Sequence, residues 1–592
     1  NQGSIWGQDE TTYSGSGSSV SVTGTGNSGS VQHPAPTTGT LHYIAILYLE
    51  QNPSKDWPQA LSWAAAHTRT NTTWVGPIAT GHYQFSDYEH DTIPSELGSP
   101  VAAANFTSGS KTYYSTLTTA VDASIKADSN VAITSSTFNI TKGNNKSRNG
   151  IILDGGDVNS TNNTFTLTGE GNNGILVKGN KLTLKNTTTT TGFTLSGTKS
   201  NGINNKAGDV DVEGERFSIG GSENNGIYTK NGDTNVKNAS YTISGSAAKN
   251  NGVFLDSGAK LADEGSSYAV SGSQNNGIYN NSTGDVTVKD PTVTVSGDKN
   301  NGIYNTSTAT GTVKVERSSL RGGNDFTVSG TNNNGILTNG TGKLEVTKIT
   351  FDVNGTTTNP DPGAQNNAIY IKGAAPTDIS GSVFVIDGRD NNAVLAKGGA
   401  ALNIKDKTKI TVKGNENNGV YLDGTLTTTK YTDEESTFNV EGTNSNGIYA
   451  KTGAVELKGT TMNVNGTNNN GLIVFDQSGV TPVKILANGT KRASFNVINN
   501  NNGIFATKSS TIDEINEVDF DVDDNAIGLL VGDSDGNNKA EVAKLEEATF
   551  DVKDTNSADT SDKTGTGIYM YEGEITTNGK VKMEGDGDDI FV

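Results

Sequence analysis

The 592-residue chain contains no cysteine. That removes disulfide staples and any cysteine-ligated structural zinc, so its stability has to come from packing and hydrogen bonds repeated along the chain. An excess of positive charge is also missing, since 44 Lys and Arg stand against 64 Asp and Glu, a formal charge of −20. Recognition of a phosphate backbone needs a cationic face, so nucleic acid is not an expected partner. No run of about 18 apolar residues occurs, and no membrane-spanning helix is expected. Residue 1 is not a Met followed by a charged and apolar leader, so the chain reads as a processed or excerpted product. Hydrophobic residues make up only 32%, too little for one large globular core. Disorder is not implied either, because only 18% of residues are charged and the apolar ones are evenly spaced.

What the chain has instead is one phrase written many times: "SIGGSENNGIY" from Ser218, "AVSGSQNNGIY" from Ala269, "TVSGDKNNGIY" from Thr294. Aligned, the copies read as two alternating apolar residues, a Gly, three variable residues, then Asn-Gly or Asn-Ala and an aliphatic. The two small positions keep a fixed separation, as in Gly169 and Gly174, Gly221 and Gly226, Gly414 and Gly419, with Gly388 and Ala393 as a variant. Copies recur every 24 to 28 residues or so, and at about 33 where a loop such as "TTTNPDPGA" is inserted, which is the period of a solenoid with side loops.

Each copy carries three short alternations of period two, for example Val210 and Val212, then Phe217 and Ile219, then Ile227. Alternation of this kind turns every second side chain inward, so three strands per coil fill a narrow lumen. Some 25 residues leave no room for crossover helices, and each strand is expected to pair in parallel with its equivalent one turn along. The expected fold is therefore all-β: a right-handed parallel β-helix solenoid of about 16 three-strand coils. Gly and Asn at the bends suit left-handed backbone angles, and Asn side chains stacked one strand spacing apart can hydrogen bond in a ladder.

The register breaks once. "SVSVTGTGNSGSV" fits the repeat near residue 19, but the next good copy waits until Thr137. Between them lie all five His and three of the four Trp. "DWPQALSWAAAHTRT", with Pro58 in its first turn, gives the one convincing helix signal. The reading is an N-terminal cap and first coil at 1–32, an inserted subdomain rich in aromatics and His at 33–128 with one helix, regular β-helix at 129–510, and acidic C-terminal coils at 511–592. Insertions held on a rigid scaffold are where binding usually resides, and Trp57, Trp63, Trp74, His82 and Tyr83 are the candidate ligand-binding residues. From Thr511 onward 22 acidic residues face 6 lysines. "EGDGDDIFV" is similar to a calcium-binding nonapeptide with Glu584 in place of its first Gly, which makes Asp586, Asp588 and Asp589 the residues that would hold calcium.

Catalytic patterns fare poorly. "AAAHT" at His67 and "GDSDG" at Ser534 resemble two segments of trypsin-like proteases, but Asp535 stands where the oxyanion loop needs Gly. A β-helical glycan-cleaving enzyme needs carboxylates grouped on one face with basic residues beside them, and no such grouping is legible. The "NNGIY" and "GTNNNGIL" corners, the "FTLSG" and "YTISG" strands and the lack of cysteine make 129–592 and the coil near residue 19 resemble the passenger domain of a Gram-negative autotransporter adhesin; two-partner-secretion passengers are close relatives. The resemblance implies a noncatalytic adhesin or stalk outside the cell, at the surface of a Gram-negative bacterium, binding glycans or proteins of host or neighbouring cells. That family's C-terminal membrane barrel is not legible before Val592. The alternatives are a fibre or surface-layer subunit that associates end to end, and the glycan-cleaving enzyme.

Overall fold

The computed structural model describes strands at 13–14, 20–22, 84–85, 104–108, 111–114, 123–127, 131–134 and 136–140, and then side chains from 138 onward except at 141–148, 154–155, 247, 321, 356–364, 400, 424–429, 476–481, 533–538, 554–564, 586–589 and 591–592. The chain divides into two compact units, Asn1–Gly284 and Asp285–Val592.

Each unit is a parallel β-solenoid. In the first, one turn consists of the strands Asp209–Glu213, Arg216–Ile219 and Asn225–Thr229. Every one of them pairs in parallel, residue for residue, with its equivalents one turn before and after, as Phe217 does with Phe193 and Tyr241. The second unit repeats the plan, for instance in Ala401–Lys405, Lys409–Val412 and Asn418–Leu422. No helix occurs among the described residues, and the helix expected over "DWPQALSWAAAHTRT" lies outside them.

The inward positions form columns. On the strand that precedes the Gly corner, Phe138, Phe165, Phe193, Phe217, Tyr241 and Tyr268 stack in the first unit, with ring centroids 4.4 to 4.9 Å apart and planes within 12° of parallel. Phe326, Phe351 and Phe384 do the same in the second, at 4.8 and 4.9 Å. Parallel strands in register place identical side chains one strand spacing apart, and flat rings tolerate that spacing well.

Two Asn columns run beside the aromatic one. In the first unit the Nδ2 of Asn173, Asn201, Asn225, Asn251 and Asn276 each donates to the Oδ1 of the Asn one turn earlier, beginning at Asn149, over 2.8 to 2.9 Å. In the second unit the chain of donors runs from Asn334 through Asn367, Asn392, Asn418, Asn446 and Asn470 to Asn502. The residue immediately before these, Asn in most turns and Ser at 200 and 445, serves the backbone. Asn250 accepts the Asn224 N–H at 2.8 Å and donates to the carbonyls of Gly221 at 3.2 Å and Ser244 at 2.6 Å, wholly buried. Asn250→Ala should therefore leave buried partners unpaired and lower stability by about 1–3 kcal/mol, read from hydrogen exchange of the flanking turns.

The two Gly columns answer to different constraints, and neither is the one expected for the Asn pair. Positive φ falls on the first Gly in several turns, at +68° in Gly221 and +79° in Gly272 but not in Gly197, and on the residue before each Asn-Asn or Ser-Asn pair, which is Gly171, Lys199, Glu223, Lys249 or Gln274 in the first unit. Neither Asn of those pairs is left-handed. The second Gly is held by close approach, since a Cβ on Gly226 would sit 2.6 Å from the Gly252 carbonyl oxygen and 3.0 Å from Ile219. Gly226→Val is expected to force the two turns apart, seen as a lowered urea midpoint. Gly245→Asn is expected to be destabilising as well, because φ there is +120°, outside the left-handed well that Asn tolerates, and a Cβ would sit 2.7 Å from the Ala248 methyl and 2.9 Å from the Gly221 carbonyl oxygen.

The first turn is closed off from one side. Val20–Val22 runs antiparallel to Val131–Thr134, Ala104–Ser108 runs antiparallel to Ser136–Ile140, and Gln84–Phe85 runs antiparallel to Ala123–Ala127, which pairs on its other edge with Asn149–Leu153. Three strands that would otherwise present bare N–H and C=O edges are each covered by a strand of opposite direction.

Candidate functional site

Trp57, Trp63, Trp74, His82 and Tyr83 lie outside the described residues, as does Asp586. Asp588 and Asp589 belong to the strand Asp588–Phe591, whose backbone pairs in parallel with Thr566–Met570, and their side chains are likewise outside. Among the described residues no group of three or more His, Asp or Glu is arranged to hold a metal ion.

The described surface offers another candidate that the sequence carried in plain view. In "NGIYT" the Ile and Thr point inward, so the Tyr between them faces out. Tyr228, Phe254 and Tyr279 form such an outward column in the first unit, with centroids 5.3 and 4.7 Å apart. The Tyr228 hydroxyl donates to Asp256 Oδ2 at 3.1 Å, and partial burial followed by the Asp256 charge pushes that phenol up to about 12. In the second unit Tyr421 stacks on Tyr449 at 5.0 Å, and Tyr449 meets Phe475 edge-on at 5.8 Å. Lys508 Nζ sits 4.5 Å above the Phe475 ring, a cation–π contact. Beside these rings Asp423 lies between Lys451 at 3.0 Å and Lys397 at 3.4 Å.

The stacking decides what this column can do. Stacked rings offer their facing sides to each other, so the side of Tyr421 toward Tyr449, and of Tyr449 toward Tyr421, is closed to a sugar. The column seals the sheet and supplies hydroxyls flanked by alternating charge.

A second cluster is internal. Most turns place Val, Leu or Ile at the second inward position of the strand after the side loops, as Val212 and Val236 do in the first unit. Two turns place Asp there, each in a D-E-x-S sequence: Asp263 with Ser266, and Asp433 with Ser436. Asp263 accepts the Tyr268 hydroxyl at 2.6 Å and the Ser266 hydroxyl. Burial pushes its carboxyl up to about 6 against those donors. Asp433 accepts the Thr460 hydroxyl, the Tyr431 hydroxyl at 3.3 Å and the Ser436 N–H at 3.4 Å, and burial again raises it to about 6. Glu215, buried beside Asn186 with Nδ2 to Oε1 at 3.1 Å, is lifted by burial to about 7. Tyr241 is buried next to this group, and no hydrogen bond partner reaches its hydroxyl. Sequence reading missed these acids because a single Asp on an alternating strand gives no sign of facing inward.

The geometry defines a class, the parallel β-solenoid proteins. No protein-family model matches the chain, and a search of curated proteins gives no match.

Proposed function

We propose that the chain is a noncatalytic extracellular adhesin or surface stalk, carried at the surface of a Gram-negative bacterium, that binds glycans or proteins of host or neighbouring cells. The observation that carries this reading is the uniform use of side chains within each unit: inward columns pack, Asn columns tie turn to turn, and outward aromatics stack on one another. A scaffold so occupied leaves specificity to the segments hung from it, and 33–128 concentrates the Trp and His suited to contact. The cysteine-free composition agrees with passage through an outer-membrane pore before folding, as the resemblance to autotransporter passengers implies.

The test compares cell binding and glycan-array binding of the full chain with a variant lacking 33–83, which carries the candidate Trp, His and Tyr residues, but keeping the strands that close the first turn and its β-sheet circular dichroism. Binding should fall to background in the variant. Undiminished binding would remove the role given to the insertion. Light scattering in parallel addresses the fibre alternative, which requires concentration-dependent growth.

A further inference from the structure

Asn-Gly, a dipeptide that recurs throughout this chain, is also the one most prone to lose ammonia, because an unhindered Gly nitrogen can attack the preceding side-chain amide. The solenoid holds such pairs in two chemically distinct settings, and one stretch, "NVNGTNNNGL", contains both. Asn470 is a ladder residue: its Nδ2 donates to Asn446 Oδ1 at 3.0 Å and its Oδ1 accepts from Asn502 Nδ2 at 2.8 Å. Its following Gly471 is packed so that a Cβ would lie 2.6 Å from the Gly503 carbonyl oxygen. Both ends of that amide are tied to other turns, away from its own main chain.

Asn465 is the opposite case. It is exposed, and its side chain folds back so that the Gly466 N–H donates to its own Oδ1 at 2.6 Å. The same oxygen accepts a second hydrogen bond from Asn499 Nδ2 at 3.0 Å, which draws electrons from Cγ. The main chain around it is fixed, with Asn465 N–H on the Val440 carbonyl at 2.8 Å and Asn469 Nδ2 on the Asn465 carbonyl at 2.5 Å. Asp387 and Gly388, at the equivalent corner of an earlier turn of the same unit, show the same contact at 2.7 Å.

We propose that Asn465–Gly466 is a self-modifying site, in which the nucleophile is the Gly466 main-chain nitrogen and the co-reactant is water. The Gly466 nitrogen gives up its proton to solvent and bonds to Asn465 Cγ; the Cγ–Nδ2 bond breaks and the amide leaves as ammonia. Water then opens the succinimide at either carbonyl, yielding aspartate or an isoaspartyl linkage. Either product places a new carboxylate at this corner. The isoaspartyl form also adds a methylene to the main chain, which displaces Thr467 from the Gly442 carbonyl it now meets at 3.1 Å. The contact supplies proximity and the Asn499 donor supplies polarisation.

The fragment 459–484, bounded by Lys458 and Lys484, carries Asn465 and Asn470 together, so tandem mass spectrometry after tryptic cleavage compares them in one molecule. After incubation of the folded full chain at mildly alkaline pH, Asn465 should gain the mass of one deamidation at least about tenfold faster than Asn470, while in urea the two should convert alike. Asn499→Gly, which keeps the left-handed backbone that Asn499 adopts at φ +60°, should slow Asn465 without unfolding the unit. Comparable rates at Asn465 and Asn470 in the folded protein would overturn the proposal, as would an inert Asn465 in a chain whose urea-treated sample converts both. An unchanged rate in Asn499→Gly would overturn the part given to the second donor.

Discussion

Phe351→Ala is expected to cost about 3–5 kcal/mol, because the ring is fully buried between Phe326 at 4.8 Å and Phe384 at 4.9 Å and the strands on either side cannot close over the hole. Cα positions in a stack of parallel strands are fixed by ladder hydrogen bonds, so a cavity in the column stays open. The damage should also stay local. Each turn contacts only its neighbours, and the free energy of such an array is close to a sum of turns and interfaces. Hydrogen exchange should accelerate in Phe326–Gly330, Thr350–Gly355 and Val383–Asp387 and leave Val518–Asp523 unchanged. Exchange accelerated evenly through the second unit would show that its turns unfold as one cooperative block, contrary to this expectation. Phe326→Ala should behave likewise, with its effect centred one turn earlier.

The second large effect is acid stabilisation. Asp263 and Asp433 titrate near 6 in the folded chain and Glu215 near 7, all above their ordinary values because burial penalises the charged form. The folded protein therefore binds more protons than the unfolded chain between those values and the ordinary carboxylate range. Stability must rise as pH falls through that window and level off below about 4, by on the order of 2–3 kcal/mol for each group. The groups facing them do not cancel this. Tyr268 and Tyr241 stand by Asp263 and Tyr431 by Asp433, and all three phenols are pushed further up, chiefly by burial, so they stay neutral throughout. The paired surface carboxyls act oppositely. Lys458 beside Glu456 and Lys544 beside Glu514 hold those groups below their usual range, and their small contribution is lost at the acid end. The urea midpoint should accordingly climb from pH 8 to about pH 4 and fall again only below that, where the paired surface carboxyls protonate. Asp433→Asn should flatten the climb for the second unit while the first, with Asp263 and Glu215, retains its own. A midpoint that drops steadily on acidification from pH 8 would refute the assignment of these acids to the buried interior.

Both effects follow from side chains that neighbouring turns impose on one another, and the same division explains what could be read in advance. Strand positions were legible because alternation is local: Phe217 and Ile219 need only Ser218 between them to declare a face. The ladder was legible because Asn recurs at a fixed offset from Gly, and parallel stacking turns equal spacing into contact. The outward aromatic column was legible too, in the residue after each inward Ile, but the repeat drew attention to its Asn and Gly instead.

The amino-acid sequence alone determined the period, the three strands and the parallel stacking, since a coil of about 25 residues with period-two alternation has no other way to bury its apolar side. Only the tertiary structure decided which Gly bends and which merely makes room, that Asp263 and Asp433 face the lumen, that Asn465 folds onto its own backbone while Asn470 reaches across, and that antiparallel strands close the first turn. Each of these depends on an atom contributed from another turn or another segment, far away along the chain, and local pattern carries no information about a partner at that distance.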